Sequence, residues 1–132
     1  MNLSKNDFSK FILRVSFSAL MMTHGYPKLM KILDGNTKFA NPIGLGSEIS
    51  LYLTVFAEFF APLLIIVGYK TRFFSFFPAF TMIIAAFVIH GDDPFKKMEM
   101  ALLFLIAYLV IMISGPGKIS VDHFKSREGH KF

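Results

Sequence analysis

Apolar positions gather into four blocks along the chain, at about 8–26, 49–68, 73–90 and 99–114, with short polar stretches between them. None of the blocks alternates apolar and polar residues, as the strands of a membrane barrel would. The block from Ile49 to Gly68 has 20 residues and one charge, Glu58. That meets the roughly 20 apolar residues a bilayer core requires. The run from Phe73 to Ile89 has 17 residues and no charge, at the lower limit of about 17. The first and last blocks are shorter or more polar, and alone would pass for buried helices of a soluble bundle. Beside the other two they read as spans. The first is open to continuation past Pro27 to Leu33 as an amphipathic turn. The pattern predicts an all-α fold, a four-helix transmembrane bundle forming a single domain over residues 1–132.

The connections agree with helices. Tyr69-Lys70-Thr71-Arg72 is a tight link, which makes the second and third helices antiparallel neighbours and favours an up-down topology. Gly91-Asp92-Asp93-Pro94 reads as a turn, and Gly115-Pro116-Gly117 stops the fourth helix. The longest loop runs from Asp34 to Ser47.

Charge adds orientation. Four spans place both termini on one side, together with Lys5, Lys10, Lys70, Arg72, Lys118, Lys125, Arg127 and Lys131. The other side holds Lys28, Lys31, Lys38, Lys96 and Lys97. Positive charge marks the cytoplasmic face, so both termini are expected in the cytoplasm. The net charge of +5 is therefore assigned to membrane topology. No soluble basic face remains for a phosphate backbone, so the expected partner is the lipid bilayer and not nucleic acid. The polar stretch from Met1 to Lys10 leads into a run that carries Arg14 and lacks a small-residue cleavage site, which reads as a mature span and not a signal peptide. The chain has no cysteine, which excludes disulfide exchange, thiolate-bound zinc and cysteine-ligated iron–sulfur clusters.

Candidate chemistry lies where ionisable groups interrupt the blocks. With helices rising about 1.5 Å per residue, Arg14 falls about 15 Å below His24, and Glu58 about 13.5 Å below Ile49. Equal depth near the midplane makes Arg14 and Glu58 an expected buried ion pair. Such a pair could be a structural staple or could handle protons or a ligand. A second group forms at the outer helix ends: His24, His90, Glu99 and Glu48, with Lys28, Lys96 and Lys97 nearby. His123 and His130 lie in the tail. His24 and His90 could be interfacial residues bonded to backbone or water, hydrogen-bond donors to a quinone, or axial ligands of a haem. Glu99 could serve as a proton donor or as a favourable charge at a helix N-terminus. The candidate catalytic set is His24, His90 and Glu99; the candidate ligand-binding set is His24, Lys28, Glu58 and His90. No metal-spacing motif is present. Phe73, Phe74, Phe76 and Phe77 read as an anchor at the inner membrane edge.

These residues also carry a resemblance. Arg14 followed by His24-Gly25 and Lys28-Leu29, then Glu58 with Gly68 and Thr71-Arg72, then Ala85 to His90 with Phe95 and Glu99, and finally Gly115-Pro116-Gly117, Ser120 and Asp122, resemble in order and spacing the DoxX family of small bacterial membrane proteins. The resemblance implies a four-helix protein of the bacterial cytoplasmic (inner) membrane. It also implies an association with quinol oxidase, thiosulfate:quinone oxidoreductase or oxidative-stress handling. The resulting expectation is a redox-associated protein that binds quinone or serves a membrane or peripheral oxidoreductase. A non-catalytic scaffold and a small-solute transporter are the alternatives, and homo-oligomerisation stays open.

Overall fold

A computed structural model describes residues 2–127, which form five helices and no strand. His130 and Lys131 lie outside the described residues. Helix α1, Lys5–Leu33, starts at a capping box. The Ser4 hydroxyl accepts from the Asp7 amide at 3.2 Å, and the Asp7 carboxylate accepts from the Ser4 amide at 2.9 Å, so exposed helix-end donors are satisfied reciprocally. Those bonds to Ser4 hold the Asp7 carboxyl below its ordinary pKa, helped by the Lys118 amide and charge. The helix continues through Pro27, so it extends seven residues beyond the expected end at Tyr26.

Helix α2, Ser47–Val67, contains a π-helical turn at Phe56–Phe60. It ends at Gly68, whose φ of 78° closes the helix in the left-handed region. Helix α3, Thr71–Ile89, finishes in a second π turn at Ala85–Ile89. Helix α4 is Phe95–Ser114, and α5 is a short helix, Val121–Arg127, that the apolar pattern did not foreshadow. The helices α2, α3 and α4 are long and apolar enough to cross a membrane. Helix α1 is longer still at 29 residues, but more polar.

Ala79 and Ala86 of α3 and Ala101 of α4 lie in the buried core together with Met21, Ile65, Met82, Phe104, Tyr108 and Ile111. These two helices make the most extensive contact in the molecule. The fully buried Tyr108 hydroxyl lies 3.3 Å from that of Ser18 on α1. Large apolar side chains such as Leu103, Ile106 and Ile113 face outward from α4, as lipid contact requires.

One end of the bundle is clasped. Arg14 is 1% exposed and donates to the backbone carbonyls of Pro116, Ile119 and Ile66, the last at 3.2 Å. Asp122 accepts from the Lys70 and Thr71 amides at 2.8 and 3.0 Å, capping α3, while its own amide donates to the Gly68 carbonyl. The Lys118 amide donates to Asp7 at 3.2 Å. A Cβ on Gly68 would strike Ser120, so the segment after α4 lies directly on the α2–α3 link. The expected Arg14–Glu58 pair does not form. The terminal nitrogens of Arg14 bond to carbonyls of α2 and of the loop after α4, and Glu58 bonds elsewhere. With α1 running to Leu33, Arg14 lies about 10 Å further from the far end of the helix than it would in a helix closing at Tyr26.

Candidate functional site

The opposite end is built around the contact of α1 with the π turn of α2. At Gly25 the two backbones touch: an added Cβ would lie 2.5 Å from the Glu58 carbonyl oxygen and 2.9 Å from the Phe59 nitrogen. Only glycine permits that approach. Lys28 follows by three residues, on the same helical face. Its ammonium donates to Glu58 Oε1 at 2.6 Å. The Glu58 side chain is 4% exposed and the Lys28 side chain 30%. A carboxylate so deep among apolar residues costs several kcal/mol unless a cation meets it. Lys28 has the long stem needed to reach it from nearer the helix end. The Lys28 ammonium also sits 5.9 Å from the centre of the Phe39 ring. The partner of Glu58 is therefore Lys28, a residue the sequence reading placed in the outer group.

Beside this pair is a cavity of about 760 Å³. His24, Lys28, Glu58 and His90, the four candidate ligand-binding residues, all line it. The rest of its wall is largely apolar and aromatic, with Phe39, Phe56, Phe76, Phe77, Phe80 and Phe104. Both π turns contribute, through Phe56, Ala57 and Glu58 on α2 and Ala85 and Ile89 on α3. Such turns widen a helix locally and recur at functional sites. A concave, mostly apolar space with a few convergent polar groups is the usual form of a small-molecule site.

The two histidines are held differently. His24 packs edge-on against Phe104, with ring centres 5.6 Å apart. His90 closes the second π turn, and its Nδ1 lies 2.9 Å from Asp93 Oδ2, so Nε2 is the nitrogen left for other chemistry. The hydrogen bond from His90 lowers the Asp93 carboxyl below its ordinary pKa, with Lys97 adding to the effect. Glu99, the third candidate catalytic residue, is exposed on α4 and does not line the cavity. Glu48 turns to the Tyr52 hydroxyl 2.9 Å away, one helical turn on. Among the described residues, no three His, Cys, Asp or Glu side chains converge as a metal set.

The structure also revises the aromatic reading. Phe76 and Phe77 line the cavity, while Phe73 is exposed and touches the rings of Phe74 and Phe77. Phe39 was missed altogether. In a helix apolar on every side, periodicity does not reveal which rings face inward, and loop position concealed Phe39.

A family model for DoxX matches residues 9–91. The chain belongs to the DoxX family. The matched region contains His24, Lys28, Glu58 and His90, all the charged and imidazole side chains that line the cavity except Lys97 of α4. It stops short of Glu99, Gly115-Pro116-Gly117, Ser120 and Asp122, which the resemblance had included. No curated protein and no solved structure matches the chain. As a DoxX protein with three apolar helices of spanning length, it is a membrane protein.

Proposed function

We propose that this DoxX protein crosses the bacterial cytoplasmic membrane with four helices, both termini cytoplasmic, and holds a lipid-soluble quinone that it shares with a membrane or peripheral oxidoreductase. The cavity carries this reading: it gathers an ion pair, two imidazoles and several phenylalanine rings around one space. A quinone head is flat, uncharged and rich in carbonyl acceptors. Such a head is matched by donors without net charge, which Lys28 paired with Glu58 supplies, and by aromatic faces for stacking. Lys28 donates while staying bound to Glu58, and His24 and His90 offer ring N–H groups. When bound, the quinone contributes two-electron, two-proton carrier chemistry.

Helix α1 fits the role of fourth span, since 29 residues extend about 43 Å against a hydrocarbon core of about 30 Å. Its one deep charge, Arg14, donates to three backbone carbonyls within the protein. The clasp also draws Lys70, Lys118 and the start of α1 to one end, the arrangement that supports a cytoplasmic face there.

The test is titration of the purified protein in lipid nanodiscs with a ubiquinone analogue, plus solvent extraction of any bound quinone. Saturable binding at one site is expected. Replacing the pair with Lys28→Met/Glu58→Leu should weaken it about tenfold or more, the effect of losing one charge-assisted hydrogen bond. His24→Ala with His90→Ala should lower quinone reduction in membranes. No binding and no extracted quinone would overturn the reading in favour of a scaffold that assembles a partner complex, a role the Arg14 clasp would serve. A Soret band would replace quinone with haem.

A further inference from the structure

The cavity has a roof and a side that differ in construction. The roof is the loop between α1 and α2, which lays Phe39, Pro42, Ile43 and Leu45 over the space. That loop is tied down at both ends. The ammonium of Lys31 donates to the Lys38 carbonyl and lies 5.7 Å from the Phe39 ring centre. The Gly46 amide donates to the Asn41 side chain at 2.9 Å, and the Ser47 hydroxyl to the Thr37 carbonyl at 3.4 Å.

The side is open by comparison. The Ala61–Val67 part of α2 packs against α3, and so does the π turn. Beyond that turn, Ser47–Val55 packs closely on α1, while Ala85–Ile89 of α3 packs on α4. The two helices therefore part above Glu58, and the cavity occupies the gap. Residues of α2 and α3 that line the cavity also face outward: Leu53, Phe76, Phe80 and Ile89 are each 46–53% exposed. All four are apolar, and they belong to helices of membrane-spanning length. The polar wall, His24 and Lys28, stands opposite on α1.

We infer that the cavity is loaded sideways from the bilayer through the gap between α2 and α3, and that its ligand is a membrane-dissolved amphiphile whose polar head reaches Lys28 while its tail lies among Leu53, Phe76 and Phe80. The inference rests on the quinone reading for the head and adds the tail and the route. On the loop face a water-borne ligand meets a cover held by the bonds of Lys31, Gly46 and Ser47. A lipid-borne one enters past the outward-facing apolar side chains of Leu53, Phe76, Phe80 and Ile89, with Thr54 and Thr81 also on the wall, before its head reaches the ion pair. The tail is then a source of affinity, because apolar surface leaves the bilayer only to enter a fitted apolar groove that also orients the head.

Two probes separate the possibilities in nanodiscs: a ubiquinone head bearing a ten-carbon tail, and the same head with no tail. The tailed probe is expected to bind at least tenfold more tightly at equal aqueous concentration once partitioning into lipid is corrected for. Leu53→Trp/Phe80→Trp, which narrows the gap while leaving Lys28 and Glu58 in place, is expected to slow its association at least tenfold. Thermal unfolding of that variant checks that it folds, and the single Leu53→Trp and Phe80→Trp proteins serve if it does not. Equal binding of both probes, with association unaffected by the tryptophans, would overturn the lateral route and leave the quinone reading standing. Failure of both probes to bind the wild-type protein would overturn the two together.

Discussion

The two ends of this bundle both bury charge, and they treat it in opposite ways. At the clasped end, Arg14 has backbone carbonyls for partners, and Asp122 and Asp7 have backbone amides. Such partners cannot change protonation or swing away, so the charges fasten three helices and the segment after α4 into one unit. At the cavity end, Glu58 faces another side chain, Lys28, which is partly exposed to an open space with two imidazoles on its wall. Side-chain partners can titrate, rotate and be exchanged for a ligand. A buried charge indicates function when its partner is itself adaptable and lies beside a cavity; a buried charge held by main chain indicates architecture.

The largest effect should come from breaking the clasp. Arg14→Met removes charge-assisted bonds worth about 1.5–3 kcal/mol each and leaves carbonyls unpaired. The expected outcome is a loss of about 4 kcal/mol or more in unfolding free energy, read as a severe fall in membrane abundance and in the detergent unfolding midpoint. An unchanged midpoint would contradict the architectural role. Next, Gly25→Val forces α1 from the Glu58 backbone, with an overpacking cost of about 1–3 kcal/mol. It should separate Lys28 from Glu58, so ligand binding should drop further than stability.

The ion pair sharpens the contrast. Lys28→Met alone strands a buried carboxylate and should destabilise by about 3–5 kcal/mol unless Glu58 takes up a proton. The double Lys28→Met/Glu58→Leu should recover most of that stability, because apolar replacements of a buried pair are often neutral. Recovered stability without recovered binding would set this end apart from the other; a double mutant as unstable as the single would not. Asp122→Ala should cost about 1–2 kcal/mol, the range for lost helix caps, with binding unchanged in the protein that folds.

The smallest effect is the acid limb. Asp7 and Asp93 have pKa values lowered by their hydrogen bonds in the folded protein. Their contribution to stability is present above the unfolded value of about 3.9 and is lost as pH falls through the lower folded values. The unfolding midpoint should therefore be insensitive to these groups at neutral pH and fall below about pH 4. Asp7→Asn should flatten that fall, monitored by circular dichroism between pH 2 and 7.

Much of the helical layout was legible. The apolar blocks and the link at Tyr69 to Arg72 require little more than counting, and Glu58 stood out because nothing near it in sequence is polar. Its partner was harder. The first apolar block closes near Tyr26, yet α1 continues through Pro27 and carries Lys28 to the level of Glu58. The true partners of Arg14 were unreadable in principle, since a backbone carbonyl is present at every residue and leaves no mark in composition. Which faces of α2 and α3 meet the cavity was equally hidden, because both are apolar all round.

The clasp also sets a schedule for biosynthesis. Arg14 and the Pro116 carbonyl it binds are 102 residues apart, which corresponds to about 5–20 s of ribosomal elongation at roughly 5–20 residues per second. Until that segment is made, the carbonyl of Ile66, 52 residues on, is the earliest of the guanidinium's partners, so most of its compensation arrives late.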